Sequence, residues 1–228
     1  MLDPASQAVV DRLHAKARAQ QGAMIRHFLP MLPRLLTRRP IGSPSNTGFY
    51  KDKLLPLGPQ QGELLYLLAR SKPARCAVEF GTSFGVSTIY LAAAIRDAGA
   101  GGRVIGTELE AEKVVAAKAN LAAAGLGSQV EIREGDARKT LGELNERVDL
   151  LLLDGWPPLA IEVLNIVEPH LTAGAVVMVD NVGQFPADLR SVIERLTTSP
   201  HYRSSRLPLR GGTLVGIYRS PASQSDAK

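Results

Sequence analysis

The first residues that could bind a ligand lie in a glycine-containing turn near position 80. An apolar run of the strand type (ARCAVEF) ends before Gly81, and Gly85 precedes a run of the helical type (VSTIYLAAAIRDA). Glycines let the backbone turn tightly and approach a ligand, and the free amides of a helix N-terminus attract anions. The spacing is G-x-x-x-G, because Ser83 stands where the dinucleotide pattern G-x-G-x-x-G requires glycine. A tight strand–helix turn without any ligand is the competing interpretation.

Two acidic residues follow the next two apolar runs. Glu108 ends RVIGTEL, where a carboxylate beside the glycine turn can accept hydrogen bonds from both hydroxyls of a ribose. Its alternative is a solvated acid that opens the next helix, a part that Glu110 and Glu112 can also play. Asp136 follows QVEIREG. It can accept the amino group of an adenine or cap the helix that begins after it, and the sequence does not separate these two roles.

Two further runs, VDLLLLD and AGAVVMVDN, bring oxygen ligands together. Asp154 ends the first run, and Asp180 and Asn181 end the second. We expect these strands to be neighbours in the sheet, so that the three side chains surround one point. Three oxygen ligands suit Mg²⁺ or Ca²⁺. The alternative is that Asp154 binds cofactor or loop atoms while Asp180 and Asn181 only shape a turn.

The elements that position these residues alternate between strand and helix. From residue 74 onward, five strand-type runs alternate with helical runs, which predicts right-handed crossovers. The helical runs include residues 59–70, 110–126, 137–146, 157–171 and 187–198. YRSSRLPL and TLVGIYRS then form an antiparallel pair. The predicted fold is α/β, with a doubly wound Rossmann-like sheet, mostly parallel with a terminal antiparallel hairpin, preceded by N-terminal helices.

Four short motifs in register resemble those of the class I S-adenosylmethionine-dependent methyltransferases. They are VEFGTSFGVS, the acid Glu108, LDGW and VDNV, and the similarity covers about residues 55–218. More narrowly, the chain resembles the metal-dependent O-methyltransferases of the catechol and caffeoyl-coenzyme A type. The resemblance implies transfer of a methyl group from S-adenosylmethionine to a hydroxyl of a small molecule.

The resemblance also implies roles for particular residues. Glu108 would bind the ribose, Trp156 would lie against the adenine or wall the site, and the main chain at Leu57 would help to close over the cofactor. We assign Asp154 to catalysis and Asp154, Asp180 and Asn181 to a possible divalent cation. The residues assigned to cofactor binding are Leu57, Glu79, Gly81, Ser83, Gly85, Ser87, Glu108, Asp136, Ala137, Asp154 and Trp156.

Two departures from the catechol type concern the acceptor. Pro157 stands where those enzymes carry a lysine assigned as general base, and the hairpin turn RGGTLVG lacks the acid that holds a second hydroxyl. A simple catechol is therefore not the expected acceptor. A cation can lower the pKa of a bound hydroxyl and do part of the missing work. Tyr50, Lys51 or Lys53, from the loop before residue 54, could supply a base instead.

Two other functions fit parts of the sequence. GTSFG also matches the G-x-S-x-G nucleophile elbow of serine hydrolases, with Ser83 as nucleophile, Asp154 or Asp180 as acid and His201 as base. Against it, this elbow follows the first strand, and no HGGG-type segment precedes it. A protein that binds the cofactor without catalysis is the second alternative, and Pro157 is its best support.

Charge and composition limit the partners. Residues 1–53 carry nine Lys or Arg against three Asp or Glu, whereas residues 54–228 carry 18 against 19. A near-neutral catalytic part favours a small-molecule acceptor over nucleic acid. One cysteine, no long apolar run and no signal-peptide pattern predict a cytoplasmic protein without a membrane span. We expect residues 1–53 to form a basic helical cap or homodimer contact, 54–220 the methyltransferase domain, and 221–228 a disordered tail.

Overall fold

The computed structural model describes residues 2–29, 48 and 51–220. Seven strands form one sheet in the order β3-β2-β1-β4-β5-β7-β6. Strands β1 to β5 are mutually parallel, β7 is antiparallel to β5, and β6 is antiparallel to β7. This confirms the predicted fold class. The strands are β1 Cys76–Phe80, β2 Arg103–Glu108, β3 Val130–Glu134, β4 Val148–Leu153, β5 Leu171–Val179, β6 Tyr202–Leu207 and β7 Thr213–Tyr218.

Eight α-helices lie within the described residues. They are α1 Pro4–Ala19, α2 Gln21–Phe28, α3 Pro59–Ser71, α4 Val86–Ala98, α5 Ala111–Ala123, α6 Ala137–Thr140, α7 Ala160–Val167 and α8 Arg190–Thr198. Short 3₁₀ turns at Gly127–Gln129, Pro157–Leu159 and Glu168–His170 complete the helical structure. Among the described helices, none is long and apolar enough to cross a bilayer.

The sequence determines most of the helix ends. Helix α3 begins with Pro59, whose fixed φ suits the first helical position. Helix α4 starts after Gly85 and stops at Gly99, both with positive φ. Helix α6 is much shorter than the predicted 137–146, because the chain leaves the helix for turns around Gly142, a residue of low helix propensity. Residues 157–171 form one α-helix between two 3₁₀ turns rather than a continuous helix.

The central strands are buried on both faces by two hydrophobic clusters. All of β1 is buried, and the apolar residues of β4 are too, which explains their unbroken hydrophobic sequences. One cluster lies under α4, and it includes Val9, Val10 and Leu13 of α1. Helix α1 therefore contributes side chains to the same hydrophobic core as α4, and the division of the chain at residue 53 stays a prediction. A further role of residues 1–53 as a cap or dimer contact stays a prediction, and residues 30–47 and the tail 221–228 lie outside the described residues.

The single cysteine is a core residue. Cys76 begins β1 and is 4% exposed, and burial raises the pKa of its thiol to about 11. The thiol therefore stays protonated at neutral pH, as expected of a buried structural cysteine.

Candidate active site

A cavity of about 420 Å³ opens at the carboxyl ends of the parallel strands. Its walls come from the turn after β1, the residues that follow β2 to β5, and residues 51–57, which precede α3. Of the predicted site residues, the cavity is lined by Leu57, Gly81, Ser83, Ser87, Glu108, Asp136, Ala137, Asp154, Trp156 and Asn181. Glu79, Gly85 and Asp180 do not line it and stand behind its wall.

The glycine turn, residues 81–85, is shaped mainly by close backbone packing. Gly81 has φ +99°, and a Cβ there would lie 2.6 Å from the Cα of Gly155, which follows β4. A Cβ at Gly85 would lie 3.6 Å from the Cβ of Ala117 on α5. Gly81 therefore makes room for the main chain of residue 155, whereas at Gly85 it is the positive φ of +87° that favours glycine. The approach of Gly85 to a cofactor stays a prediction.

Glu79 is fully buried beneath the glycine turn. Its Oε2 accepts hydrogen bonds from the hydroxyls of Thr82 at 3.0 Å and Thr88 at 2.5 Å. Its Oε1 has no hydrogen-bond partner among the described residues. Burial raises the pKa of this carboxyl group. A buried carboxylate oxygen without a partner is costly, and a donor from a bound ligand would remove that cost.

Glu108 is held in place by two main-chain amides. The amide of Ser83 donates to Oε2 at 2.8 Å, and that of Glu110 donates to Oε1 at 2.9 Å. Each carboxylate oxygen can accept more than one hydrogen bond. The carboxylate, which lines the cavity, can therefore accept two further donors from a ligand without moving.

Asp136 caps the helix that follows it. Its Oδ1 accepts the main-chain amide of Arg138 at 3.0 Å, and the Arg138 guanidinium donates to both oxygens at 2.7–3.1 Å. These contacts lower the pKa of Asp136 to about 2. The helix-cap interpretation is thus confirmed. Asp136 also lines the cavity, beside Ala137 and in the same wall as Trp156.

Asp154, Asp180 and Asn181, the carboxylate cluster, meet at the ends of β4 and β5, which are neighbours as predicted. The Asn181 side-chain amide donates to Asp154 Oδ1 at 3.2 Å. Burial, and then the charge of Asp180, raises the pKa of Asp154 well above its usual range; burial raises that of Asp180 to about 6. Within the described ranges, neither carboxylate forms an ion pair, and no group of three His, Cys, Asp or Glu side chains could hold a metal.

Sequence reasoning missed Gln61, which is 2% exposed and reaches this cluster from α3. Its side-chain amide donates to Asp180. The one signal in the sequence is its place three residues after Gly58, at the start of a helix, where a Gln side chain can cap the helix N-terminus. That signal indicates the cap and gives no indication of the contact with Asp180.

Basic residues stand at the mouth of the cavity. Lys51 and Lys53 line it, and Lys51 lies 3.7 Å from Glu110. Lys113 also lines it, and its ammonium group lies 5.9 Å from the ring centre of Phe84. Burial lowers the pKa of Lys113. Tyr50, the third candidate base, lies outside the described residues.

The serine hydrolase arrangement is not assembled. Ser83 has a positive φ of 50°, as the strained turn of a nucleophile elbow requires. Its position is at the carboxyl edge of the sheet. His201 precedes β6 beside the end of β7, and since β7 runs antiparallel to β5 this is the opposite edge of the sheet. His201 lines a different cavity, with Glu168 and Arg195. Ser83 and His201 therefore cannot form a catalytic pair.

Comparison with known proteins agrees with this site. A family profile described as "Methyltransferase domain" matches residues 78–182. Catechol O-methyltransferase of Mycobacterium tuberculosis is 38% identical over 124 residues, which cover 54% of this chain and 55% of that protein. The Niastella koreensis enzyme of the same name is 34% identical over 130 residues, 55% of this chain and 58% of that protein. The chain thus matches somewhat over half the length of these curated relatives.

Solved structures show the same architecture. The O-methyltransferase TomG from Streptomyces achromogenes, involved in tomaymycin synthesis and determined in complex with SAM, is 27% identical with a TM-score of 0.68, covering 77% of this chain and 87% of that chain. Cofactor-bound Rv0187 from MTB is 28% identical with a TM-score of 0.67, covering 73% and 83%. In sequence and in fold, the chain is similar to class I S-adenosylmethionine-dependent methyltransferases. Within that class, it resembles the O-methyltransferases of the catechol and caffeoyl-coenzyme A type.

Proposed function

We propose that this protein transfers the methyl group of S-adenosylmethionine to a hydroxyl oxygen of a small-molecule acceptor. The observation that carries the proposal is Glu108. Its carboxylate lies in the cavity at the end of β2, and two main-chain amides orient it so that both oxygens remain available to the two hydroxyls of a ribose. Cofactor-bound structures of the similar proteins support the same ligand for this chain.

The residues around Glu108 fit the rest of the cofactor. The orphaned Oε1 of Glu79, beneath the glycine turn, suits the ammonium group of the methionine moiety. Trp156 and Ala137 offer apolar surface for the adenine, and the main chain at Leu57 closes the opposite wall. When bound, S-adenosylmethionine would supply an electrophilic methyl group: the acceptor oxygen bonds to the methyl carbon as the methyl–sulfur bond breaks, S-adenosylhomocysteine is the leaving group, and the hydroxyl proton passes to a base. The protein contributes mainly by holding the two reactants close together and in the correct orientation.

The acceptor region has few groups that could take that proton. Pro157, Leu159 and Phe185 give it an apolar wall, which suits an aromatic or otherwise apolar acceptor. Asp154 is the carboxylate that faces the cavity there, and we propose it as the residue that orients the acceptor hydroxyl and receives its proton. Burial raises the pKa of Asp154, and a carboxylate with a raised pKa is a stronger base when ionised than an ordinary one.

We also propose that the carboxylate cluster holds a divalent cation, Mg²⁺ or Ca²⁺. The donor types fit, because hard cations prefer carboxylate and amide oxygens. Two buried carboxyl groups with no ion pair among the described residues are also what a cation would neutralise. Asn181 must turn its amide, since its nitrogen now faces Asp154. A bound cation would lower the pKa of the acceptor hydroxyl.

Turnover of the cofactor tests the function. The purified protein is incubated with S-adenosylmethionine and a panel of phenols, catechols and aliphatic alcohols, and S-adenosylhomocysteine and methylated product are measured by mass spectrometry. We expect equal amounts of both with at least one hydroxylated aromatic compound. Cofactor binding without turnover for every acceptor would favour the non-catalytic alternative. Failure to bind either nucleoside would overturn the proposal.

The cation is tested separately with a chelator. Activity should disappear in EDTA and return with excess Mg²⁺. An active enzyme that is indifferent to chelator would remove the cation from this account, and Asp154 would then act as a hydrogen-bond acceptor and base only.

A further inference from the structure

Gln61 connects three separate segments around the carboxylate cluster. Its Oε1 accepts the main-chain amide of Gly58 at 2.9 Å. Its Nε2 donates to Asp180 Oδ1, to the hydroxyl of Thr213 at 2.9 Å and to the main-chain oxygen of Arg210 at 3.1 Å. An amide nitrogen has two hydrogens, so these three acceptors share them. Both the oxygen and the nitrogen of this buried side chain are therefore engaged in hydrogen bonds.

The three segments all border the cavity or the cluster. Gly58 ends the rim segment, residues 54–58, whose Leu57 lines the cavity. Arg210 and Thr213 flank the turn between β6 and β7. Asp180 stands behind Asp154 and is itself excluded from the cavity wall. Gln61 is therefore the side chain through which the rim segment and the hairpin turn are tied to Asp180.

We infer that Gln61 is a positioning residue for methyl transfer, an inference that rests on the function proposed above. Because Gln61 and Thr213 both bind Oδ1 of Asp180, they fix the rotation of that carboxylate, which interacts with Asp154. The orientation of Asp154, which faces the acceptor, then depends on a residue that does not line the cavity. Gln61 acts through Asp180 and contacts neither cofactor nor acceptor.

Its two hydrogen-bonding functions can be separated by substitution. Gln61→Glu has almost the same shape and keeps the acceptor for Gly58, but it replaces the donor to Asp180 by a second carboxylate oxygen. Gln61→Lys keeps donors for Asp180 and Arg210 but loses the acceptor for Gly58. Gln60→Leu is the control: it replaces a glutamine at the exposed neighbouring position of α3 and removes no contact with Asp180.

The experiment measures kcat per cofactor-binding site, with the sites counted by calorimetric titration of S-adenosylhomocysteine. Gln61→Glu should lower kcat by about tenfold or more, as loss of a supporting contact to a ligand residue does. Gln61→Lys keeps a donor to Asp180 but adds a positive charge beside the proposed cation site, so it should lower kcat by less than Gln61→Glu does. Gln60→Leu should equal the parent. The Kd for S-adenosylhomocysteine should change little in all three, because Glu108 and Glu79 are untouched. A role in folding alone would reduce the number of sites and leave kcat per site unchanged.

A second readout needs no turnover. In a double-mutant cycle, Asp180→Asn supplies a donor to Glu at position 61, so it should raise the thermal midpoint of Gln61→Glu by more than it raises that of the parent. If the thermal midpoints are coupled but the parent protein shows no methyl transfer, the contact between Gln61 and Asp180 is upheld and the proposed function is overturned. An active parent whose Gln61→Glu variant has unchanged kcat, or equal losses in the Glu and Lys variants, would overturn the positioning role.

Discussion

The two halves of the cavity are built in different ways. The cofactor side, at the ends of β1, β2 and β3, is formed by short-range contacts: Glu108 is fixed by amides of the adjacent turn and of its own loop, and Asp136 by the next helix. The acceptor side, at the ends of β4 and β5, depends on side chains from distant segments. Gln61 and Asp180 are 119 positions apart.

This difference separates what is common to the class from what is particular to this chain. Backbone amides and glycines can hold a constant ligand with little dependence on other side chains. An acceptor wall made of Leu, Pro and Phe side chains can be altered without disturbing that ligand. Pro157 illustrates this, because it changes the acceptor side and leaves the contacts of Glu108 intact.

The glycine turn on the cofactor side should be sensitive to a single added carbon. Gly81→Ala places a Cβ at positive φ and within 2.8 Å of three main-chain atoms of residues 154 and 155, so we expect unfolding free energy to fall by about 3 kcal/mol. Gly99→Ala is the matched control: it also has positive φ, but its Cβ would meet nothing within 4 Å, and it should lose only about 1 kcal/mol. Chemical denaturation measures both. Equal losses would show that the backbone of residue 155 is not tightly packed there.

The acceptor side should be separable from cofactor binding. Asp180→Ala removes a carboxylate behind the cavity wall, so methyl transfer should fall by about 100-fold, while the Kd for S-adenosylhomocysteine stays nearly constant. Steady-state kinetics and calorimetry on the same preparation test this. Parallel losses of turnover and cofactor affinity would mean that the two sides are not independent.

The N-terminal helix gives the smallest expected effect. Asp3 caps α1 by accepting the amides of Ala5 and Ser6, and it pairs with Arg96 of α4 at 2.7 Å. Asp3→Ala should cost roughly 1 kcal/mol of stability. The exposed Asp11→Ala, on the same helix, should change stability by less than about 0.5 kcal/mol.

The effect of Asp3 should also depend on pH. The Ser6 amide, the Ser6 hydroxyl and Arg96 hold the pKa of Asp3 well below its ordinary value of 3.8. A folded-state pKa below the unfolded one gives stability that is complete above the unfolded pKa and is lost as the pH falls through the folded one. The difference between parent and Asp3→Ala should therefore shrink below about pH 3.8. A constant difference would contradict the cap.

The sequence allowed the fold and the cofactor side to be predicted because both depend on local patterns. Alternating apolar runs predicted the sheet, and Glu108 was identified from its place at the end of a strand. Asp136 had two possible roles, and only the position of Arg138 in space distinguishes them. The early end of α6 was not predicted, because the apolar periodicity of the sequence continues past Gly142 whereas the helical backbone ends at Thr140.

Long-range packing explains the rest of what sequence reasoning missed. Val9 and Leu13 of α1 are buried against residues of the sheet domain, a contact that the sequence of α1 does not specify. No sequence pattern around Gln61 indicates its hydrogen bond to Asp180. The packing of Gly85 beside Ala117 of α5 is likewise a contact between segments some 30 residues apart along the chain.

Calorimetric titration of S-adenosylhomocysteine tests the central claim most directly, with the parent, Glu108→Ala and the exposed control Glu112→Ala compared in one buffer. We expect the parent to bind with one site per chain. Glu108→Ala should bind about 2–3 kcal/mol more weakly, roughly 30- to 150-fold in Kd, because two hydrogen bonds to a charged acceptor are lost. Glu112→Ala should bind like the parent. Equal affinity in parent and Glu108→Ala, or no binding by the parent, would contradict the account.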